Sequence, residues 1–211
     1  MQGMIGKKVG MTRIFNEESG EAIPVTIVQT GVNVVQQIKT VENDGYSAVQ
    51  LGFDPVSEKR VKKPLLGHFK KHKSEPTRVI REFKLDSPDE QVECGQRIGA
   101  EFFNEVKYVD VIGTSKGRGF SGTVKRHGFH IGRMTHGNMN KRARGSLGAG
   151  TYPARVFPGL KMAGQYGNQQ VTVKGIEIVG LDKDAGLVYL KGSIPGRKKG
   201  IVFLTKNSHK G

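Results

Sequence analysis

The chain has 211 residues, with 34 Lys+Arg against 19 Asp+Glu, a formal net charge of +15 and a sequence pI near 10.0. Leu, Ile, Val and Phe number 55, enough for a modest core in one domain or two small ones and above the range of disordered chains. A single cysteine, Cys94, excludes an intrachain disulfide framework and multi-cysteine zinc sites; no apolar run approaches the ~18 residues of a membrane span, and residues 1–10 hold no apolar core of the signal-peptide kind. The expectation is a soluble, intracellular, basic protein whose partner is a polyanion, either nucleic acid or an anionic membrane surface.

Taken in chain order, the flanks predict β structure. The runs at 23–29 and 32–40 are rich in β-branched residues and are separated by Thr30-Gly31, a hairpin-like pair. A further strand is predicted over 46–53, after the turn signal Asn43-Asp44-Gly45. A short helix is expected within 62–73, and strands at 77–85 and 108–113. Residues 58–84 then make a small α/β annex, within an annex region of about 56–105. QVTVKGIEIVGL (170–181) and GLVYLK (186–191) flank Asp182-Lys183-Asp184-Ala185 and predict a hairpin; GIVFLT (200–205) adds a last strand. Short strands at such spacings, with Gly-rich turns, point to an antiparallel barrel or sandwich.

Charge is unevenly spread. Residues 1–112 hold 16 basic and 16 acidic side chains, residues 113–170 hold 10 basic and no acidic ones, and residues 171–211 hold 8 and 3. Only 8 of the 55 large apolar residues fall in 113–170, against 13 glycines. Burial of so little surface cannot offset roughly 1–2 kcal/mol of backbone entropy per ordered residue. The stretch is expected to be mobile alone and to need an anion. Strands lie on both sides of it, so it reads as an insertion between neighbouring barrel strands. Its isolated apolar residues, Phe120, Phe129, Ile131, Leu147 and Phe157, distinguish it from a plain solvated linker. The expected division is a discontinuous barrel domain of 1–112 and 171–211, with 113–170 as an extended basic loop.

Gly117-Arg118-Gly119-Phe120-Ser121-Gly122 matches G-x-G-x-x-G after a predicted strand. A dinucleotide site needs an acid about 20 residues on. Lys141-Arg142 stands there instead, so backbone close to phosphates, beside Lys116 and Arg118, is the better reading. His127, His130 and His136 lack a carboxylate or thiol companion in the segment, which argues for phosphate or base contacts rather than a metal. Cys94, among Glu90, Glu93 and Glu101, is no activated nucleophile. A nuclease would want metal-binding carboxylates inside its binding surface, and this segment has none. Lys141, Arg142 and Arg144 form a basic cluster expected to contact RNA. The clusters Lys70-Lys71-His72-Lys73 and Arg197-Lys198-Lys199 are as well explained as solvated faces.

Several stretches resemble the universal large-subunit ribosomal protein L-three family, in its bacterial form. They are MIGKKVGMTRIF (4–15), Gly67-His68-Phe69, VDVIGTSKGRGFSGTVKRHGF (109–129), Thr135-His136-Gly137-Asn138 and Lys161-Met162-Ala163-Gly164-Gln165. The resemblance implies a six-stranded, translation-protein-type barrel with a small α/β annex and a long basic loop. It implies a structural role in the large ribosomal subunit, in the cytoplasm and without enzymatic activity, cofactor or metal. The implied partners are large-subunit (23S-type) rRNA near its 3′ end and neighbouring ribosomal proteins, with support for early assembly, no membrane and no homo-oligomer. The residues so implicated in rRNA binding are Lys7, Lys8, Arg13, Lys116, Arg118, Lys125, Arg126, His127, Arg133, His136, Lys141, Arg142, Arg144, Arg155 and Lys161. Ser146, Leu147, Gly148, Ala149, Gly150, Thr151 and Tyr152 fall at a loop tip near the peptidyl transferase centre. Some bacterial members carry a methylated glutamine in a G-Q-N-Q run there; Gly148-Ala149-Gly150-Thr151 stands in its place, so that modification is expected to be absent. An RNA-modifying enzyme would require a cofactor pocket or carboxylate cluster. A DNA-compacting protein would use apolar wedges on a uniform duplex, whereas a long loop suits crevices between RNA helices.

Overall fold

The computed structural model describes residues 1–16, 20–86 and 92–207. Six antiparallel strands close into a barrel in the order β1, β12, β7, β10, β11, β2. These are β1 (Gly3–Phe15), β2 (Ala22–Gln29), β7 (Tyr108–Thr114), β10 (Gln170–Asp182), β11 (Leu187–Lys191) and β12 (Ile201–Lys206). β7, β11 and β12 bury every second residue: Val109, Val111 and Gly113; Val188 and Leu190; Val202 and Leu204. That period of two puts one face of each strand in the core.

A second sheet, ordered β5, β4, β3, β6, consists of β3 (Asn33–Lys39), β4 (Ala48–Pro55), β5 (Thr77–Lys84) and β6 (Arg97–Ile98). The short helix α1 (Val41–Asp44) links β3 to β4 and ends on Gly45 in the left-handed region. The helix α2 (Lys63–Lys71) links β4 to β5 and buries Phe69. One apolar cluster joins the two sheets, with Met4, Ile5, Val28, Val109 and Leu204 from the barrel and Val35, Val49, Leu51 and Phe83 from the annex.

Two expectations change. Thr30-Gly31 does not turn a hairpin: β2 pairs with β1 and β11, while β3 pairs with β4 and β6. The amides of Thr30 and Gly31 both donate to the Gly186 carbonyl, at 2.9 and 3.3 Å, so the dipeptide docks on the β10–β11 turn and the chain leaves the barrel there. The annex sheet consequently begins with β3, near residue 33 rather than 56. The hairpin read at 170–191 is present, with Leu181 opposite Val188 and Asp182 Oδ1 accepting from the Ala185 amide at 3.0 Å.

The described chain divides into two compact units, Met1–Ser115 with Gln170–Gly211, and Lys116–Gln169. The first contains both sheets. The second is the connection from β7 to β10, which are neighbours in the barrel, with Thr114 opposite Gln170. No helix among the described residues is long and apolar enough to cross a membrane.

Candidate nucleic-acid interface

Lys116–Gln169 holds itself together with backbone and polar contacts rather than a core. None of the buried apolar side chains among the described residues belongs to it; its buried residues are Ser121 and Thr123. Its base is a two-stranded ribbon, β8 (Gly119–Ser121) against β9 (Gly164–Tyr166), with Phe120 opposite Gln165. The Arg118 amide donates to the Tyr166 carbonyl at 2.8 Å. Gly167 has φ +73°, and a Cβ there would run into the Lys116 carbonyl, so only glycine lets the two arms cross so closely.

The G-x-G-x-x-G residues thus form β8 and the entry to α3 (Thr123–His127), which has Gly122 at its N-cap and Gly128, in the left-handed region, at its C-cap. Arg126 Nη1 donates to the Met162 carbonyl at 2.8 Å, and His127 Nε2 lies 3.0 Å from the same oxygen. Arg126 and His127 therefore brace α3 against the returning arm, and part of their hydrogen-bonding capacity is used inside the segment. Farther out, the Gly132 amide donates to the Lys141 carbonyl at 2.9 Å, and Asn138 Nδ2 to the Arg133 carbonyl at 2.8 Å.

This leaves a dense set of open cations. Lys116, Arg118, Lys125, Arg133, Lys141, Arg142, Arg155 and Lys161 are exposed, as is His136, while Arg126 and Arg144 are half-buried. Among the described residues no ion pair involves this unit, which itself holds no carboxylate. Large apolar side chains stand among the cations: Phe120 is 80% exposed, Tyr152 88% and Met139 96%. Aromatic faces beside guanidinium groups, as in Arg155 over Phe157 at 5.8 Å, are the combination that stacks on bases while charge meets phosphate. Tyr152 and Met139 are the residues composition did not single out for this; their exposure is a property of the fold.

The tip residues Ser146, Leu147, Gly148, Ala149, Gly150, Thr151 and Tyr152 are all exposed. Ser146 Oγ bridges to the Gly148 carbonyl at 3.0 Å, a local turn that holds the glycines open.

A family model described as ribosomal protein L3 matches residues 80–186, from β5 through the whole cationic segment to the β10–β11 turn. A protein named large ribosomal subunit protein uL3 from Petrotoga mobilis is 48% identical over 204 residues, covering 97% of this chain and 94% of its own. Its counterparts from Crocosphaera subtropica and a Picosynechococcus species are 49% and 48% identical, covering 96% and 98% of this chain and 95% and 96% of theirs. This chain belongs to the ribosomal protein L3 family.

Within this L3-family chain, the three N-terminal candidates separate. Arg13 is exposed and lies 5.9 Å from the Phe15 ring. Lys7 is half-buried and lines a cleft of about 340 Å³ with Phe53, Asp54 and Arg97. Lys8 is 7% exposed, and its ammonium donates to the Ile194 carbonyl at 2.8 Å. It secures the β11–β12 connection, a contact between residues 186 apart in sequence that no local signal announces. Cys94 is exposed, and Glu90 lies outside the described residues. Among the described residues, no three His, Cys, Asp or Glu side chains gather in a metal-binding arrangement.

Proposed function

We propose that this L3-family chain is a structural, non-catalytic component of the large ribosomal subunit in the cytoplasm, bound to large-subunit rRNA mainly through Lys116–Gln169. The observation that carries this reading is that segment's set of exposed cations without any acidic partner, interleaved with exposed aromatic rings. The names of the relatives, each a large ribosomal subunit protein, support the setting. The barrel anchors the chain on rRNA near its 3′ end and beside neighbouring ribosomal proteins, contributing to early assembly as a single copy. The basic arms track phosphates. The uncharged tip, with Gly148 and Gly150 allowing close backbone approach, reaches toward the peptidyl transferase centre as a neighbour of the catalytic RNA and not as a participant.

The test is the salt dependence of binding to a large-subunit rRNA transcript. Each phosphate neutralised releases counterion, with a slope of roughly −0.7 to −0.9 per contact. Arg142→Ala with Arg144→Ala is expected to make the slope shallower by about 1.4–1.8 while leaving the thermal midpoint within about 2 °C of the parent, since both residues lie outside the apolar core. An unaltered slope would place both side chains in solvent and remove the central support for this reading.

A further inference from the structure

The chain from 59 to 73 carries seven Lys/Arg and no acid, and α2 lies inside it. Of the five cations on the annex strands, three pair with a carboxylate. Lys39 pairs with Glu82 at 3.0 Å, Arg97 with Glu75 at 2.8 Å and Arg78 with Asp54 at 3.9 Å. Lys59, Arg60, Lys62, Lys63, Lys70, Lys71 and Lys73 are all exposed, and among the described residues none meets a carboxylate.

Helical periodicity sorts these charges. Phe69, 1% exposed, marks the inward face of α2. Lys63, Gly67 and Lys71 follow one another at i, i+4 and i+8, so they form one stripe on the opposite, outward face. The lysines are about 12 Å apart along the axis, at about 1.5 Å per residue. Gly67 between them is anomalous. Glycine is among the least favourable residues in a helix interior. Here nothing within the chain asks for it: a Cβ at Gly67 would meet no atom within 4 Å, and its φ lies outside the left-handed region. The result is bare helix backbone flanked by two free ammonium groups.

We propose that this stripe is a second RNA-docking surface, on which a phosphate backbone lies across Gly67 and is held by Lys63 and Lys71, with Lys70 at its side. The inference rests on the rRNA-binding reading above and adds to it a site on the annex, far in sequence from Lys116–Gln169. A phosphate strand is the occupant that uses both features. Lysine grips phosphate as a point charge without reading sequence, and a missing side chain lets the polyanion reach the helix surface.

The full-length chain is titrated with the large-subunit rRNA transcript across a salt series, and thermal unfolding is recorded without RNA. Lys63→Gln with Lys71→Gln is expected to lower the salt slope by about 1.4–1.8. Gly67→Ala is expected to raise the thermal midpoint of the free protein by roughly 2–4 °C, yet to weaken RNA binding at least three-fold. Those opposite signs separate a docking surface from a packing position. If the arm variant Arg142→Ala with Arg144→Ala moves the slope and neither α2 variant changes slope or affinity, the stripe is solvated and the inference fails while the parent reading stands. If no variant changes RNA binding, both fail. If the α2 variants bind RNA as the parent does but are not incorporated into reconstituted subunits, the face meets a ribosomal protein, and the RNA assignment is overturned.

Discussion

Asn33 shows how one buried polar side chain can replace a piece of ladder. Its Oδ1 accepts from the Ile5 amide at 3.1 Å, and its Nδ2 donates to the Ile5 and Thr30 carbonyls, each at 3.0 Å. β2 pairs with β1 only from Lys7 onward, so the side chain extends the edge that β2 leaves open. Asp110, the last acid before the cationic stretch, is similarly structural. It accepts from the Gly175 amide and from Asn207 Nδ2, both at 2.7 Å, and so pins the irregularity of β10 between Val173 and Ile176. Asn33→Ala strands three backbone groups in a fully buried site, at a cost of roughly 1–3 kcal/mol for each group that stays unpaired. The expected net loss is about 2–4 kcal/mol, and thermal unfolding should show a midpoint lower by about 5–15 °C. Asn43→Ala, whose exposed side chain reaches only Thr40 Oγ1 at 3.3 Å, should change the midpoint by less than about 2 °C. Equal effects would show that the Asn33 bonds do not hold the strand. The two asparagines look alike in sequence, because burial is decided by partners 28 residues away. The same blindness hides the burial of Lys8, whose partner Ile194 is 186 residues away.

The strands that could be read were those whose β-branched or alternating apolar pattern is local. β2, β3, β4, β5, β7, β10, β11 and β12 are of this kind. β1 was not legible as a strand, since GMIGKKVG carries three glycines, which normally weaken one. The structure supplies the reason for two of them. A Cβ on Gly3 would collide with the Leu204 carbonyl, and one on Gly6 would come within 2.6 Å of Val28 Cγ1. Closure of a small barrel demands glycine where strands crowd, and that demand is invisible until the barrel exists. The helix within 62–73 was legible, but the surroundings of His68 on it were not. His68 lies 2.8 Å from Gln50 Oε1, 4.9 Å from the His72 ring and near Lys71. Burial first, then the charges of His72 and Lys71, hold it below the ordinary histidine value of 6.5. The folded protein thus binds that proton less readily than the unfolded chain, and acid favours unfolding. The contribution is complete above pH 6.5 and is lost as pH falls through the lowered value. The thermal midpoint should therefore decline between pH 7.5 and 5, and His68→Gln should reduce that decline relative to the parent measured in parallel. A variant with an identical profile would mean that other groups govern the decline.

Composition alone revealed a partition of the chain, because net charge and apolar content change together along it. It gave the cations by count, and the resemblance placed them on a loop. Neither could say that Arg126 and His127 are partly spent on the Met162 carbonyl, which is a matter of how two arms 35 residues apart meet. The partition has a mechanical consequence. Every fully buried apolar side chain among the described residues lies outside Lys116–Gln169, so the barrel and annex hold that core by themselves. Its two ends enter at Thr114 and Gln170, which face each other across the β7–β10 ladder, where paired residues sit about 5 Å apart. A turn of four or five residues spans that gap. Replacing 116–169 by such a Gly/Ser turn removes ten cations and lowers the net charge from +15 to +5, which reduces self-repulsion in the compact state. The shortened loop also costs less entropy to close, by a few kcal/mol at most. The shortened chain should therefore unfold in one cooperative transition, at a midpoint no lower than the parent's by more than about 5 °C. The salt slope of its binding to the rRNA transcript should fall by several units, because the exposed cations of the arms are gone. A chain without a cooperative transition would show that the barrel needs its insertion to fold. A folded chain that keeps the parent's salt slope would show that the arms are not where phosphate is neutralised.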